Sequence, residues 1–379
     1  MEKSIPKWIW QHENYPHFTY DKDALIDILG SLEYHRGILD GVSKLFNETD
    51  IQAMEIETLL EEAINTSEIE GEYLKRESVR ASLLKKLDTG FDTTQDSSTH
   101  QTDALIDILI DSSMNKSPLT LTRLHGWHNS LFVSGYSKLN PIKVATFRTH
   151  NDMEVVSGAI GHEKVHYLAP PQKQIASDID TLLTWCNNSK ENIYIKSALA
   201  HLWFVSIHPY DDGNGRISRA LTDYILSSQD ESTTRFKLYS ISTAINSDRR
   251  GYYDILDKTT NLFVNRKFDF TPWVLWHLKT LDKAMQIAHK NIEYTIQKTK
   301  FWDKHRDKNF NDRQVKVLNK VLDKGSENFL GGISTKKYMA MTKVSKATAI
   351  RDIKELVGYE CVKAVEGASG RNLRYEVVL

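Results

Sequence analysis

The segment that organises this chain is Ile207-His208-Pro209-Tyr210-Asp211-Asp212-Gly213-Asn214-Gly215-Arg216-Ile217-Ser218-Arg219. Residues 193–207 contain no Gly or Pro and are apolar on most sides, which predicts a helix buried in a core. Pro209 ends that helix. Beyond Gly215, apolar residues return at helical spacing and predict a second helix. His208 is therefore expected in a loop between two helices.

The residues after Asp212 combine groups that suit a bound phosphate. Gly213, Asn214 and Gly215 all tolerate left-handed backbone conformations, so successive N–H groups can turn inward and form an anion-binding nest. The nest opens onto a predicted helix N-terminus, which also favours phosphate. Arg216 and Arg219 lie three residues apart on one helix face, and guanidinium groups match phosphate oxygens well. This segment therefore predicts a phosphate site.

Two further residues predict the chemistry at that site. Asp212 is an oxygen ligand placed to hold Mg²⁺, which commonly bridges carboxylates and substrate phosphates. His208, with an ordinary pKa near 6.5, can take a proton from a hydroxyl at neutral pH. The set has no nucleophilic Ser or Cys of its own, so the attacking hydroxyl should come from another molecule. We expect in-line transfer of a nucleotidyl or phosphoryl group.

The pattern from His208 to Arg219 resembles the signature of the Fic family of protein adenylyltransferases, HPFx[D/E]GNGRxxR, with Tyr210 in place of Phe. The resemblance implies a mainly α protein, a Fic-type helical bundle with a β-hairpin flap. It also implies that His208 deprotonates a Ser, Thr or Tyr hydroxyl of a target protein, which attacks the α-phosphate of ATP. Asp212 would bind Mg²⁺, the nest would bind the α- and β-phosphates, and Arg216 would hold the γ-phosphate.

An upstream segment, Thr66-x-x-x-Glu70-Gly71, is similar to the inhibitory motif of that family. Alone, Glu-Gly at the end of a helix indicates only a C-cap. Because the segment precedes the signature, the resemblance implies a member whose inhibitory helix lies before the catalytic core. Glu70 would pair with Arg216 and occupy the place of the γ-phosphate, which would make the protein autoinhibited.

Short β-favouring runs between residues 146 and 171 predict a hairpin. In the Fic family a flap at this position, here about 154–171, holds the target backbone by strand addition. Its predicted target-binding residues are Val155, Val156, Ser157 and Gly158. The same region contains His162-Glu163-Lys164-Val165-His166, which satisfies the zinc pattern H-E-x-x-H. That chemistry needs a helix, and the glycines before and prolines after leave too few residues for one.

Two other groups of residues have both a functional and a structural interpretation. Tyr252, with Asn261 as its neighbour, is similar to the wall beside the adenine in the Fic family. Core packing of Tyr252 and Tyr253 is nearly as well supported. His125 and His128 have the spacing of metal ligands, but no Cys or acid lies nearby in sequence, so packing or surface roles are favoured.

The C-terminal residues form a separate pattern. Three helical segments, at 314–322, 334–341 and 345–356, precede two strands and predict a small α+β winged helix. We therefore expect an N-terminal helical region at 1–115 with the inhibitory helix and a catalytic core at 116–300. The winged helix would occupy 301–379. Such modules bind DNA or dock proteins and dimerise, and both interpretations stay open.

The composition limits which cellular compartment and which binding partners are expected. The net charge is −1, which argues against wholesale nucleic-acid or membrane binding. However, residues 300–379 hold 17 Lys and Arg against 10 Asp and Glu. Cys186 and Cys361 suggest no disulfide framework, and the longest apolar stretch is too short to span a bilayer. With no visible signal peptide, we expect a cytoplasmic protein without a membrane partner.

The prediction is thus an autoinhibited adenylyltransferase that uses ATP and Mg²⁺ on a hydroxyl-bearing protein, and on itself. Three alternatives stay open. The site can transfer another phosphate-linked group, or it can remove AMP with Glu70 orienting a water. The third is a winged-helix transcription regulator whose core only senses nucleotide, although sensing needs no base such as His208. A homodimer also stays open.

Overall fold

The computed structural model describes residues 6–87, 96–137, 140–157, 164–228, 237–323, 329, 331–368 and 370–378. Helices dominate this part of the chain, which confirms the mainly α prediction. The chain divides into two compact units, Met1–Gln286 and Ile287–Leu379.

The first unit is built from ten complete helices and the start of an eleventh within the described residues. In chain order these are α1 (Ile26–Ser43), α2 (Glu48–Ile69), α3 (Arg76–Lys86), α4 (His100–Met114), α5 (Leu121–Leu131), α6 (Gln172–Asn188), α7 (Ile193–Ile207), α8 (Asn214–Ser228), α9 (Ile241–Ser247), α10 (Arg249–Thr260) and α11 (Thr271–Lys304). Two antiparallel pairs join them, β1 (Tyr136–Ser137) with β2 (Asn140–Pro141), and β3 (Glu154–Ser157) with β4 (Lys164–Leu168).

The central helix of the first unit is α7, which has the bounds that its sequence predicts. Thirteen of its 15 residues are buried, so it has no solvent face and no amphipathic pattern. Its apolar side chains, among them Phe204 and Ile207, join those of α4, α5, α6 and α8 in one hydrophobic cluster. Since α7 and α8 flank the His208 loop, packing of this cluster sets where the loop lies.

Helix α2 leads to the segment that resembles an inhibitory motif. Asn47 caps its N-terminus by accepting from the Asp50 backbone N–H. At the other end the helix continues to Ile69, so Thr66 lies within it and Glu70 is its C-cap. Gly71, with φ of +77°, ends the helix in a conformation that glycine adopts without strain.

The predicted hairpin is present as β3 and β4, which pair from Glu154 with Leu168 to Ser157 with Lys164. An aromatic N-terminal segment packs on it. The Trp8 ring lies edge-on to Tyr167, with 5.4 Å between centroids, and Trp10 Nε1 donates to the Leu168 carbonyl at 2.7 Å. Burial of these rings anchors the base of the hairpin.

The second unit contains three short helices after the end of α11, followed by a strand pair. They are α12 (Asp312–Leu322), α13 (Thr335–Thr342), α14 (Lys346–Gly358), β5 (Val362–Ala364) and β6 (Tyr375–Val377). This order of three helices and a hairpin is the one the sequence predicts. Its core includes Leu318, Tyr338, Leu356 and Cys361, all fully buried.

Two further observations concern the cysteines and the apolar character of the helices. Cys186 and Cys361, the two cysteines of the chain, are free and buried. Among the described residues, no helix combines the length and the apolar character that crossing a lipid bilayer requires.

Candidate active site

His208 is held in a strained backbone conformation at the end of α7. Its φ is +49° and its ψ is +60°, a left-handed conformation that is uncommon for a residue with a Cβ. Its N–H donates to the Phe204 carbonyl at 3.1 Å, so the last turn of α7 closes onto it. Arg148, which is fully buried, donates from Nε to the His208 carbonyl at 2.8 Å. The surroundings therefore fix a conformation that the residue alone disfavours.

The hydrogen bond at His208 Nδ1 defines the tautomer of the imidazole. Nδ1 lies 3.1 Å from the Val205 carbonyl oxygen. A carbonyl can only accept, so Nδ1 carries the proton and the lone pair is on Nε2. Burial lowers the pKa of His208 to about 4, with the Val205 carbonyl acting in the opposite direction. At neutral pH His208 is thus an uncharged base.

Two other histidines hold the loop after His208. His128 accepts from the Ala145 N–H at Nδ1 (3.0 Å), so its Nε2 donates to the Asp212 carbonyl at 3.2 Å. Its ring stacks on Tyr210 with 4.1 Å between centroids. His125 Nδ1 lies 3.0 Å from the Tyr210 hydroxyl. The hydroxyl by which Tyr210 differs from the Phe of the family signature therefore has a hydrogen-bond partner. The favoured packing role for both histidines is confirmed.

The backbone of residues 213–215 differs from that of the predicted nest. Gly213 has a φ of +83°, but Asn214 and Gly215 begin helix α8. The amide of Asn214 instead pairs with the backbone of Tyr210, accepting from its N–H at 3.0 Å and donating to its carbonyl at 2.8 Å. Asn214 has this role because its amide carries both a donor and an acceptor. The loop is thus a pinned turn that leads into a helix N-terminus.

Gly215 allows a close approach rather than a left-handed conformation. A Cβ at this position would overlap the carboxylate of Glu70. The end of α2 therefore places a carboxylate against the first turn of α8, where N–H groups and the helix dipole favour negative charge. The sequence prediction that this turn suits an anion is consistent with the position of Glu70.

Arg216 and Arg219 project from the first turns of α8 and are almost fully buried, at 7% and 1% exposure. Within the described residues, Arg216 Nε and Arg219 Nη1 are buried and have no hydrogen-bond partner. Unpaired buried donors of charged groups are costly, and an oxyanion would satisfy them. Both arginines thus keep one donor available for an anion.

The predicted pair between Glu70 and Arg216 is wrong. Glu70 Oε1 accepts from Arg219 Nη2 at 2.8 Å, and Arg216 Nη1 donates to Glu72 Oε2, also at 2.8 Å. Arg219 further donates to the Thr66 hydroxyl and carbonyl at 2.7 and 2.9 Å. Because Glu70 follows Thr66 by one helical turn, both residues lie on the same face and reach the same arginine.

Glu72 reaches the other arginine because of how α2 ends. The Gly71 N–H donates to the Glu68 carbonyl and the Glu72 N–H donates to the Ser67 carbonyl, both at 2.9 Å. These are the two bonds of a Schellman motif with Gly71 at its left-handed position. The motif reverses the chain and directs Glu72 to Arg216. Glu72 directly follows the segment from Thr66 to Gly71, but sequence spacing alone gave no sign of this turn.

Asp212 offers a single exposed carboxylate. One oxygen accepts from its own neighbour's N–H, Gly213, at 2.5 Å, and the other accepts from the Ser137 hydroxyl. Its side chain is 42% exposed. The described residues contain no group of three metal-ligating acids, histidines or cysteines. One carboxylate fits an ion that takes its remaining ligands from water and phosphates, as Mg²⁺ does.

Tyr252 does not face an open cavity. It is 2% exposed, its hydroxyl lies 2.9 Å from His201 Nε2, and its ring stacks on Trp276. The structural interpretation of a core aromatic therefore describes it better than an adenine wall. Tyr253 is more exposed, and its hydroxyl donates to the Ile69 carbonyl at 3.1 Å. Asn261 caps the end of α10 and forms an isolated bridge with Trp8.

The hairpin is tied to the His208 loop at its base. The Tyr167 hydroxyl on β4 donates to the Ser206 carbonyl at 2.8 Å. Arg148 bridges the His208 and Pro170 carbonyls through Nε and Nη2. Val155 is half-buried and Val156 is 46% exposed, whereas Gly158 lies outside the described residues. Arg148 is a positioning residue that the sequence analysis missed, since burial of an arginine leaves no sequence signal.

The zinc pattern does not form a helix in its described part. Lys164 to His166 belong to strand β4, and His162 and Glu163 lie outside the described residues. His166 Nδ1 lies 3.6 Å from an oxygen of Asp257 on α10. The described part of the pattern is therefore a strand and not the helix that H-E-x-x-H zinc chemistry needs.

Family profiles match two parts of this chain. Residues 8–89 match a domain of unknown function (DUF4172). Residues 118–226 match the Fic/DOC family, and this range contains helices α5 to α7, the loop from His208 and most of α8. The chain therefore carries a Fic/DOC domain, as the pattern from His208 to Arg219 predicted.

Solved structures share the fold. A Fic family protein from Desulfovibrio desulfuricans G20 has a TM-score of 0.53 at 18% identity, covering 95% of this chain and 97% of that chain. A Fic domain containing signalling protein from Bacteroides thetaiotaomicron VPI-5482 has a TM-score of 0.52 at 18% identity, covering 69% and 97%. A probable protein adenylyltransferase from Aquifex aeolicus (strain VF5) is 40% identical over 58 residues, which are 15% of this chain and only 18% of that relative.

The tautomer and the lowered pKa of His208 give the first testable prediction. Because burial disfavours the imidazolium, His208 should stay neutral with its proton on Nδ1 as the pH falls, until about pH 4. Ring ¹⁵N chemical shifts measured across the pH range, with a His208→Asn variant to assign the signal, check this. A midpoint near the ordinary pKa of about 6.5, or a proton on Nε2, would contradict it.

Proposed function

We propose that the protein transfers AMP from ATP to a Ser, Thr or Tyr hydroxyl of a target protein. The observation that carries the proposal is an imidazole whose lone pair is on Nε2, one loop before the helix whose first turns carry two buried arginines. Each of these arginines has an N–H donor without a partner in the described part of the chain. A base and a polyanion site are the two requirements for activating a hydroxyl against a triphosphate.

The proposed reaction balances as follows. The target hydroxyl oxygen forms a bond to the α-phosphorus of ATP, and its proton passes to His208 Nε2. The bond between the α-phosphorus and the bridging oxygen of the β-phosphate breaks, and pyrophosphate leaves. Arg216, Arg219 and the first N–H groups of α8 stabilise the charge on the phosphate oxygens. Arg148 and the Val205 carbonyl keep His208 oriented throughout.

Asp212 is the residue that would hold Mg²⁺. When bound with ATP, the ion neutralises part of the phosphate charge. The protein supplies one carboxylate and leaves the rest of the coordination to phosphates and water, which fits the donors described at this site.

The hairpin suits the target backbone. It is a two-stranded pair within the described residues, so its strands have outer edges with N–H and C=O groups available to an added strand. Val155, Val156, Ser157 and Gly158 are the residues we assign to this contact. Strand addition depends little on the side chains of the target, so the contact positions a hydroxyl without selecting a sequence.

We further propose that α2 inhibits this reaction through two carboxylates rather than one. Glu70 occupies Arg219 and Glu72 occupies Arg216, so both cations are engaged before ATP arrives. Two unit charges about 4 Å apart at an effective dielectric of about 20 attract by roughly 4 kcal/mol before desolvation. The γ-phosphate must compete with these contacts, which favours unproductive binding.

The first consequence concerns Glu70 and His208. Glu70→Gly should raise AMP transfer from [α-³²P]ATP to protein by about tenfold or more, because it frees Arg219 and the space above Gly215. His208→Ala in the same background should abolish transfer, because the base is gone. Labelling of host lysate by each purified variant measures both effects, and mass spectrometry of the labelled protein identifies the transferred group.

Equal labelling by wild type, Glu70→Gly and Glu70→Gly/His208→Ala would refute the proposed function. A mass other than that of an adenylyl group would assign a different transfer to the same site. Circular dichroism of each variant shows that the fold is retained, since Glu70→Gly leaves Arg219 bound to Thr66.

The second consequence concerns Glu72. Glu72→Gln should raise transfer by about two- to fivefold, less than Glu70→Gly, because Glu72 engages Arg216 in a partly screened ion pair, whereas Glu70 pairs with the more deeply buried Arg219 and also lies against the first turn of α8. The matched control is Glu48→Gln, an exposed acid at the far end of the same helix. Initial rates of self-labelling compare the variants. If Glu72→Gln labels itself at the wild-type rate, Glu72 does not contribute to inhibition and Glu70 alone accounts for it.

A further inference from the structure

We propose that the exposed face of α14 in the second unit binds double-stranded DNA. The proposal concerns only this unit and stands independently of the transferase site.

Helices α13 and α14 form a helix-turn-helix. Three residues, Lys343 to Ser345, connect them, and Lys343 turns the chain with a φ of +56°. Ser345 caps α14 by accepting from the Thr348 N–H at 3.2 Å. The second helix of such a pair enters the major groove of DNA in the proteins that use it for recognition. Here β5 and β6 follow it as a hairpin.

Helix α14 has one buried and one exposed face. Ala349, Ile353 and Leu356 enter the core of the unit. On the other side, Lys346, Ile350 and Lys354 are exposed at four-residue spacing, with exposed Arg351 beside them. This row runs for about 12 Å along the helix axis. An α-helix with its side chains is about 10–12 Å across, and a major groove about 12 Å wide admits it.

The charges on this surface are mostly positive. Residues 329–358 contain six basic side chains, at 336, 337, 343, 346, 351 and 354, against two acids, Asp352 and Glu355. Asp352 is 1% exposed and is held by Arg313 Nε at 2.8 Å and the Tyr338 hydroxyl at 3.1 Å. Glu355, the next acid along, accepts from Gln314 Nε2 at 2.9 Å. The exposed surface of the helix-turn-helix is thus positive although the whole chain is at −1.

This charge pattern favours DNA over a protein partner. Interfaces between proteins are depleted of lysine and centred on buried apolar or aromatic side chains. The exposed large apolar side chains of α14 are Ile350, at 38% exposure, and Val357, at 40%, and Ile350 lies among lysines and an arginine. Basic side chains around the groove-reading helix are the arrangement that phosphate contacts require.

The test measures binding of the full-length protein to a fluorescein-labelled random duplex of about 30 base pairs at about 50 mM salt, by fluorescence anisotropy. We expect binding that weakens as salt rises. Lys346→Glu/Lys354→Glu should weaken it by about tenfold or more and reduce the salt slope by about 2, because two phosphate contacts are lost. The matched control is Lys316→Glu/Lys320→Glu on α12, which changes the charge equally on exposed residues outside this face.

Retained affinity in the α12 control and loss in the α14 variant would support the proposal. Equal losses in both variants would overturn it, since binding would then reflect net charge alone. No binding by the wild type at this salt would also overturn it and would leave the face to a protein partner. Circular dichroism of both variants confirms that neither substitution unfolds the unit.

Discussion

Two buried guanidinium groups are the constraint on which the rest of the site depends. Arg216 and Arg219 lie in the first turns of α8, nearly without solvent, and buried charges persist only where partners compensate them. Glu70, Glu72 and Thr66 supply those partners from the end of α2. Under the proposed function, the same donors would hold the phosphates of ATP. The ion pairs that compensate the buried arginines would then also limit access of the nucleotide.

The geometry of the base depends on the packing of α7. Because that helix is buried on all sides, its last turn cannot move without disturbing the core, and His208 follows it in a left-handed conformation. Arg148 secures the His208 carbonyl, and His128 and Asn214 secure the loop beyond it. The imidazole is thus oriented by contacts from elements distant in sequence, which leaves its Nε2 lone pair to act as the base.

Much of this arrangement could be predicted from sequence because it is local. The bounds of α7, the hairpin, the order of the C-terminal elements and the position of the loop between α7 and α8 all follow from periodicity and from residues within short segments. The pairing of arginines with acids could not be predicted, because it depends on how the Schellman motif at Gly71 turns the chain after α2. The burial of Tyr252 and the role of Arg148 likewise arise from tertiary packing. Sequence spacing therefore identified the groups of the site but not their partners.

Nucleotide affinity in the absence of turnover is the most direct measure of the competition between carboxylate and phosphate. Isothermal titration calorimetry would compare ATP and AMP binding to His208→Ala and to Glu70→Gly/His208→Ala. The account predicts that loss of Glu70 strengthens ATP binding by about tenfold and leaves AMP binding nearly unchanged, because only the triphosphate competes for the arginines. Equal gains for ATP and AMP, or none for ATP, would contradict it.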